Sequence, residues 1–128
     1  MADGVVLDAS AILCLLQGEP GSDEVLAALP GAVVGTVNLG EVVSKLAEHG
    51  MPEGEIRQAL TLGLTVLPFT EELAYAAGAL RPATRSRGLS LGDRACLALA
   101  RSIGVPAITT DRAWSDLDAG VEVRVLER

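Results

Sequence analysis

Short apolar stretches alternate along this chain with longer segments of helical periodicity, and this alternation constrains the fold more than any other feature. The predicted strands cover residues 5–7, 32–37, 64–69, 105–109 and 121–126. Between them apolar residues recur at helical spacing, as in Val42, Val43 and Leu46. Strands that alternate with helices form a mainly parallel sheet with helices packed on its faces. We therefore predict an α/β fold of three layers, α/β/α, with a sheet of four to five strands.

Length and composition predict a single globular domain spanning residues 1–128. The chain is long enough for one core, and its apolar (49%) and charged (21%) fractions are those of a folded protein. No apolar run reaches the roughly 18 residues of a membrane span. The N-terminus carries Asp3 where a signal peptide needs basic residues. We therefore expect a cytoplasmic protein that does not associate with a membrane.

Four acidic residues stand where the predicted strands give way to helices. Asp8 directly follows the first strand, Glu41 and Asp111 follow the second and fourth, and Asp93 lies at the start of the helix predicted over residues 91–103. In a parallel sheet, the strand ends that feed helices lie along one edge, where ligand crevices form. Carboxylates gathered there repel one another unless a cation lies among them, and divalent ions favour oxygen ligands. The pattern indicates a metal-dependent enzyme.

Each of these acids, taken alone, also has a structural explanation as a helix cap. The segments at residues 38–41 and 90–93 fit a capping box, in which the fourth residue reaches back to the start of its helix. Asp8 and Asp111 fit N-cap positions. Capping does not require apolar neighbours, however, and burying like charges together is costly without a counter-ion. The recurrence of the acids therefore favours a metal site over capping alone.

The segments that contain the four acids resemble the four motifs of PIN-domain ribonucleases. They are VLDASAI at residues 6–12, NLGEV at 38–42, SLGDRA at 90–95 and TTDRAW at 109–114. Their order and spacing, and the chain length, are most similar to those of VapC-type toxins of bacterial toxin–antitoxin pairs. The resemblance spans essentially the whole chain. One unusual feature is Gly40 beside Glu41, because glycine inside a helix costs up to about 1 kcal/mol.

The resemblance implies a PIN-like fold and an endoribonuclease that uses one or two Mg²⁺ or Mn²⁺ ions to hydrolyse RNA phosphodiester bonds with metal-activated water. The implied metal ligands are Asp8, Glu41, Asp93 and Asp111. Hydrogen bonds that orient the ligands or a metal-bound water are expected from Ser10, Asn38 and Thr109. Asp116 is a further candidate near the metals, although a solvated acid at a helix end explains it equally well.

A net charge of −7 taken alone argues against a nucleic-acid partner, but bound divalent ions would reverse the field at the site. Lys45 is the only lysine, so nearly all bases are arginines, which suit contacts to phosphate or carboxylate. The candidates for RNA phosphate contact are Arg81, Arg85, Arg87 and Arg94. Arg81, Arg85 and Arg87 are explained equally well as solvated residues of a loop and helix face. Arg94 could instead form an ion pair with a carboxylate.

The resemblance to toxins implies a homodimer and a cognate antitoxin that covers the acidic site. Two alternatives stay open: a housekeeping PIN-domain nuclease, and a catalytically silent domain whose acidic pocket binds other proteins. The compact single domain favours the toxin. A phosphoacceptor receiver domain is disfavoured, because it needs a pair of acids after the first strand and a lysine near the end. Here Asp8 stands alone and the last lysine is Lys45.

The remaining chemically active residues have structural explanations. Cys14 and Cys96 lie in apolar helical patterns and are predicted to be buried thiols. His49 precedes Gly50 and is predicted to end a helix rather than to act as a general base. Trp114 is predicted to pack in the core or in a dimer contact.

Overall fold

Residues 4–127 are described by a computed structural model, in which five strands form one parallel sheet. The strands are β1 Val5–Leu7, β2 Ala32–Gly35, β3 Thr65–Leu67, β4 Ala107–Thr109 and β5 Val123–Val125. The helices are α1 Ala9–Gln17, α2 Ser22–Ala28, α3 Thr36–Glu48, α4 Glu53–Ala59, α5 Glu71–Ala79, α6 Arg81–Thr84 and α7 Leu91–Ile103. Short 3₁₀ turns cover Leu29–Gly31, Arg85–Arg87 and Arg112–Trp114. The predicted α/β class with a parallel sheet is confirmed.

The strand order β3-β2-β1-β4-β5 places a reversal point in the middle of the sheet. The chain runs outward from β1 through β2 to β3 and then returns, so that β4 pairs with the other side of β1. In open parallel sheets, ligands bind beyond the carboxyl ends of the strands at such a point. The crevice expected from this rule lies beyond β1 and β4, whose ends are followed by Asp8 and Asp111.

Two apolar clusters, one on each face of the sheet, account for the three layers. On one face Leu7 packs with Ile12 of α1 and Val42 of α3. On the other face Val6 packs with Leu97 of α7. Adjacent residues of β1 thus point to opposite faces, as the two-residue period of a strand requires. All three residues of β1 are buried, which is typical of a parallel strand covered on both sides.

Helix α7 forms much of the second cluster and begins at the site. Eight of its 13 residues are buried, which agrees with its position between the sheet and α5. Its first turn is a capping box: Asp93 N–H donates to Ser90 Oγ at 3.1 Å, and Ser90 N–H donates to Asp93 Oδ2 at 2.8 Å. The capping box predicted for residues 90–93 and the predicted helix bounds are both confirmed.

Helix α3 begins earlier than the sequence predicts. Strand β2 ends at Gly35 rather than at residue 37, and α3 starts at Thr36. Asn38 therefore lies within the first turn of α3 and not at its N-cap, so the capping box predicted for residues 38–41 is wrong. Thr36 and Val37 are β-branched and favour a strand locally. The burial of Val42 on the same helix outweighs that preference.

The N-cap positions predicted for Asp8 and Asp111 are confirmed. Asp8 accepts a hydrogen bond from Ala11 N–H at the start of α1, and Asp111 accepts one from Ala113 N–H at the start of the single 3₁₀ turn Arg112–Trp114. Ser115 has extended backbone there, and Asp116 has a φ of 57°, in the left-handed region that few non-glycine residues adopt. This turn sets the path of the chain directly after Asp111.

The two cysteines, Trp114 and His49 have the structural roles predicted for them. Cys14 and Cys96 are buried thiols without a disulfide, Trp114 is fully buried in the core, and His49 is the C-cap of α3. Among residues 4–127, no helix combines the length and the apolar character that a membrane span requires.

Candidate active site

The four acids singled out by the sequence line one cavity at the carboxyl end of the sheet. Asp8 and Asp111 follow β1 and β4, while Glu41 lies in the second turn of α3 and Asp93 in the first turn of α7. The cavity has a volume of about 270 Å³. Its other lining residues are Ala9, Ser10, Leu13 and Lys45. The fold thus brings together side chains from four separate parts of the chain.

Asp8 is the buried member of the set, with 4% of its surface exposed. Its Oδ1 accepts hydrogen bonds from Ser10 Oγ at 2.7 Å and from Ala11 N–H at 2.8 Å, and its Oδ2 accepts one from Thr109 Oγ1 at 2.5 Å. Burial raises the pKa of Asp8 to about 6, the nearby Asp93 adds to the rise, and the three hydrogen bonds oppose it. The ionised form of Asp8 therefore has hydrogen-bond donors but lacks a positive neighbour.

The hydroxyl groups of Ser10 and Thr109 connect the two central strand ends. Ser10 Oγ accepts a hydrogen bond from Thr110 N–H at 3.0 Å, and Thr109 Oγ1 accepts one from Asp111 N–H at 3.1 Å. Each hydroxyl also donates to Asp8. The two side chains thus fix the carboxylate of Asp8 and the backbone that leads to Asp111. Whether Ser10 and Thr109 orient metal ligands, as predicted, stays a prediction.

Glu41 is positioned through Asn38, which is only 2% exposed. The Nδ2 group of Asn38 donates to Glu41 Oε1 at 2.8 Å and to the Gly92 carbonyl at 3.1 Å. One amide group therefore joins α3 to the first turn of α7. This contact explains how Asn38 contributes to the cavity even though it does not cap its helix.

Gly92 is a site residue that the sequence reasoning missed. A Cβ at this position would lie 2.3 to 2.8 Å from the three carboxylate atoms of Glu41, closer than atoms can approach. The lack of a side chain is therefore what allows Glu41 to lie against α7. Gly40, the glycine that precedes Glu41, has no such role, because an added Cβ there would meet nothing within 4 Å. A glycine inside the buried α7 was the available signal, because glycine disfavours helix.

Asp93 and Asp111 act as helix caps and still retain an oxygen for the cavity. Asp93 Oδ2 accepts from Ser90 N–H, and Asp111 Oδ1 accepts from Ala113 N–H at 2.9 Å. The second oxygen of each carboxylate accepts no hydrogen bond from residues 4–127, and the same holds for Glu41 Oε2. Capping and ligand binding are therefore compatible in this fold.

The donor set of the cavity suits a hard divalent cation. All the acidic side chains offer oxygen, and among the described residues no nitrogen of Lys, Arg or His lies within 4.0 Å of them. In residues 4–127 no three acidic, histidine or cysteine side chains already surround a single point as a finished metal site. Glu41 and Asp111 are exposed, so their side chains are able to change rotamer around an ion.

Asp116 and Arg87 lie in and beside the turn that follows Asp111. The Asp116 side chain is exposed and does not line the cavity. The guanidinium group of Arg87 donates to the backbone carbonyls of Ala113, Ser115 and Asp116. Arg87 therefore fastens this turn to the segment before α7, a structural role that the sequence did not indicate.

The other three candidate arginines divide into two kinds. Arg81 and Arg85 are exposed on α6 and on the 3₁₀ turn after it. Arg94 is 8% exposed, its Nη1 donates to the Ala77 carbonyl at 3.0 Å, and its buried Nε has no hydrogen-bond partner among the described residues. Arg94 makes no ion pair with a described carboxylate, so the pairing with a carboxylate that the sequence suggested for it is wrong. Because Arg94 is enclosed between α5 and α7, its position gives no support to a phosphate contact.

We expect the contribution of Asp8 to the stability of the metal-free protein to decrease as the pH rises from about 4 to about 6. The pKa of Asp8 is about 6 in the folded state against an ordinary 3.8, so the folded protein holds this proton more tightly than the unfolded chain. The resulting stabilisation is fully present below the unfolded pKa and is lost as the pH rises through the folded pKa. The difference between the two values corresponds to roughly 3 kcal/mol.

Urea unfolding in the presence of EDTA, at several pH values across this window, measures the effect. The reference is Asp8→Asn, whose neutral amide cannot titrate. The free energy of unfolding of the unmodified protein should fall relative to that of the variant as the pH rises. A difference between the two proteins that stays constant across the window would contradict the prediction.

Comparison with known proteins agrees with the fold. A family model described as the PIN domain matches residues 5–120. A toxin–antitoxin complex from Klebsiella pneumoniae contains a chain of 20% identity and a TM-score of 0.75, with 95% of this chain and 97% of that chain covered. VapBC2 from Rickettsia felis, bound to a DNA fragment from its promoter, contains a chain of 13% identity and a TM-score of 0.75, with 96% of this chain and 98% of that chain covered.

VapC20 from Mycobacterium tuberculosis, described as a sarcin–ricin loop cleaving toxin, gives 21% identity and a TM-score of 0.72, with 97% of this chain and all of that chain covered. A search of curated protein sequences finds no match. At these identities the structural likeness establishes a shared fold, and the PIN-like architecture implied by the four motifs is confirmed.

Proposed function

This chain belongs to the PIN domain family, and on that premise we propose that it is a metal-dependent endoribonuclease that acts as the toxin of a toxin–antitoxin pair. The observation that supports the nuclease is the cavity lined by Asp8, Glu41, Asp93 and Asp111. Three of these carboxylates retain an oxygen without a hydrogen bond, and no described basic nitrogen neutralises any of the four. We propose further that residues 1–128 form one such domain.

One or two Mg²⁺ or Mn²⁺ ions held by these carboxylates would activate water and stabilise the charge that develops on the phosphate oxygens. The protein's own part is to hold the ligands in place. Ser10 and Thr109 hold Asp8 through hydrogen bonds to both of its carboxylate oxygens, while Asn38 holds Glu41 through Oε1 and leaves Oε2 without a hydrogen bond. Positive charge in the cavity favours the ionised form of Asp8 and opposes the burial that raises its pKa.

Purified protein incubated with a mixed RNA pool tests the nuclease. We expect cleavage with Mg²⁺ or Mn²⁺, its loss when EDTA is added, and its return when the metal is restored in excess. An Asp8→Asn preparation purified in the same way controls for contaminating ribonucleases. Cleavage that persists in EDTA, or that is equal in the two preparations, would argue against the proposal, as would the absence of cleavage with either metal.

The toxin role rests on the solved structures that share the fold, several of which are toxin–antitoxin complexes. We propose that this chain likewise acts in the cytoplasm, forms a homodimer, and is held inactive by a cognate antitoxin that covers the acidic cavity. Phosphate contacts by the exposed Arg81 and Arg85 belong to the same proposal. Induced expression should arrest growth, and co-expression of a small protein encoded immediately upstream should restore it. A housekeeping nuclease would be tolerated without any such partner.

A further inference from the structure

Lys45 is the one cationic side chain among the residues that line the acidic cavity. It lies on α3 four residues after Glu41, and residues at this spacing share a face of a helix. It is also the only lysine of the chain, whose other bases apart from one histidine are arginines. A single ammonium group therefore lines the same cavity as the four carboxylates without forming an ion pair with any of them.

No intramolecular contact accounts for this ammonium group. The ion pairs among residues 4–127 are Arg57 with Glu53 and Arg124 with Glu122, and the Lys45 side chain takes part in no described ion pair or hydrogen bond. Lys45 is exposed, so water solvates its charge. A lysine in the last turn of α3 also complements the helix dipole, which is the structural explanation to be tested against a functional one.

Two of the candidate arginines, Arg87 and Arg94, are not available for the same task. Arg87 is engaged by the carbonyls of the turn at residues 113–116, and Arg94 is enclosed between α5 and α7. An RNA strand that approaches four carboxylates meets repulsion, which metal ions relieve only where they bind. A further positive charge at the edge of the cavity would attract the phosphate next to those metals. Lys45 is placed to supply it.

We propose that Lys45 is a substrate-binding residue whose ammonium group contacts a phosphate oxygen of the RNA strand beside the bond to be cleaved. This inference rests on the proposed ribonuclease function. An ammonium group offers donors and no acceptor, so it does not ligate metal and is suited to an anionic oxygen. Because the lysine side chain is flexible, the ammonium group can contact the phosphate in several orientations.

The test compares Lys45→Gln with Arg57→Gln, which removes an exposed base on α4 outside the cavity. Both are made in the Asp8→Asn background, where RNA stays intact, and binding of a fluorescent single-stranded RNA is followed by anisotropy at increasing salt. Losing one phosphate contact should reduce the slope of log K against log salt by about 0.7 for a single strand. Lys45→Gln should show this reduction and bind about tenfold more weakly. Arg57→Gln should show neither, and Lys45→Arg should retain most of the binding.

The same substitutions in the active protein provide a second measurement. Lys45→Gln should raise KM about tenfold and change kcat by much less, because the contact exists before and during cleavage. Unchanged affinity and salt slope, together with a lower melting temperature, would show that Lys45 only complements the dipole of α3 and would overturn the proposal. If the unmodified protein binds RNA with this dependence on Lys45 but cleaves none in Mg²⁺ or Mn²⁺, the nuclease function fails and the phosphate contact stands.

Discussion

Replacing Asp8 by Asn is expected to reduce RNA cleavage by at least about a thousandfold, because a central anionic ligand of the proposed metal site is lost. The amide oxygen of Asn can still accept from Ala11 N–H, and Asn is as good an N-cap as Asp, so α1 should remain intact. Burial disfavours the charge on Asp8, which raises its pKa to about 6. Near neutral pH, the metal-free variant should therefore be at least as stable as the unmodified protein.

Cleavage rates in Mg²⁺ and Mn²⁺, melting temperature and calorimetric Mn²⁺ binding together measure this change. The matched control is Asp23→Asn, the same substitution at an exposed position on α2 outside the cavity. It should leave cleavage and Mn²⁺ binding unchanged, and it should lower the melting temperature only slightly, through loss of a charge that complements the dipole of α2. An Asp8→Asn protein with an unchanged melting temperature and full metal-dependent cleavage would remove Asp8 from the proposed mechanism.

Replacing Gly92 by Ala is expected to reduce cleavage by about 10- to 100-fold, the usual cost of disturbing a residue that orients a metal ligand. The new methyl group would overlap the carboxylate of Glu41, which must turn away and lose its bond from Asn38. The backbone of Gly92 does not have a positive φ, so alanine is compatible with it. Because alanine favours helix over glycine by up to about 1 kcal/mol, the fold should not be weakened by the backbone change.

The control for Gly92→Ala is Gly40→Ala, which makes the same change in α3 next to Glu41. A methyl group at residue 40 would meet nothing within 4 Å, so this variant should be more stable and as active as the unmodified protein. The two variants separate a general effect of alanine from the displacement of Glu41. Equal cleavage by both would show that the position of the Glu41 carboxylate does not matter for turnover.

The sequence predicted the architecture well because the alternation of strands and helices is a local pattern. The parallel-sheet rule then placed Asp8 and Asp111 at one edge without any knowledge of side-chain contacts. The sequence pattern did not predict the contact between Glu41 and Gly92. That contact joins two helices that are distant in the chain, and no local pattern encodes the missing Cβ.

Two predictions were wrong for residues near the first turn of a helix. Residues 36 and 37 favour a strand locally, yet they start α3, so Asn38 faces Glu41 from within the helix instead of capping it. Arg94 is next to Asp93 in sequence, but adjacent residues of a helix point about 100° apart. Asp93 consequently faces the cavity, while Arg94 enters the contact with α5. Adjacency in sequence is a poor guide to shared surroundings once a segment is helical.

The pairing of β1 with β4 has a consequence for biosynthesis. It joins Val6 to Ala107, so β1 is synthesised about a hundred residues before the strand with which it pairs at the centre of the sheet. Contacts between such distant residues form slowly. A nascent chain that ends before β4 has Asp8, Glu41 and Asp93 but lacks the hydroxyl of Thr109 that holds Asp8. A chain that stops before β4 also lacks Asp111, so the acidic cavity forms only after β4 and the residues that follow it have been synthesised.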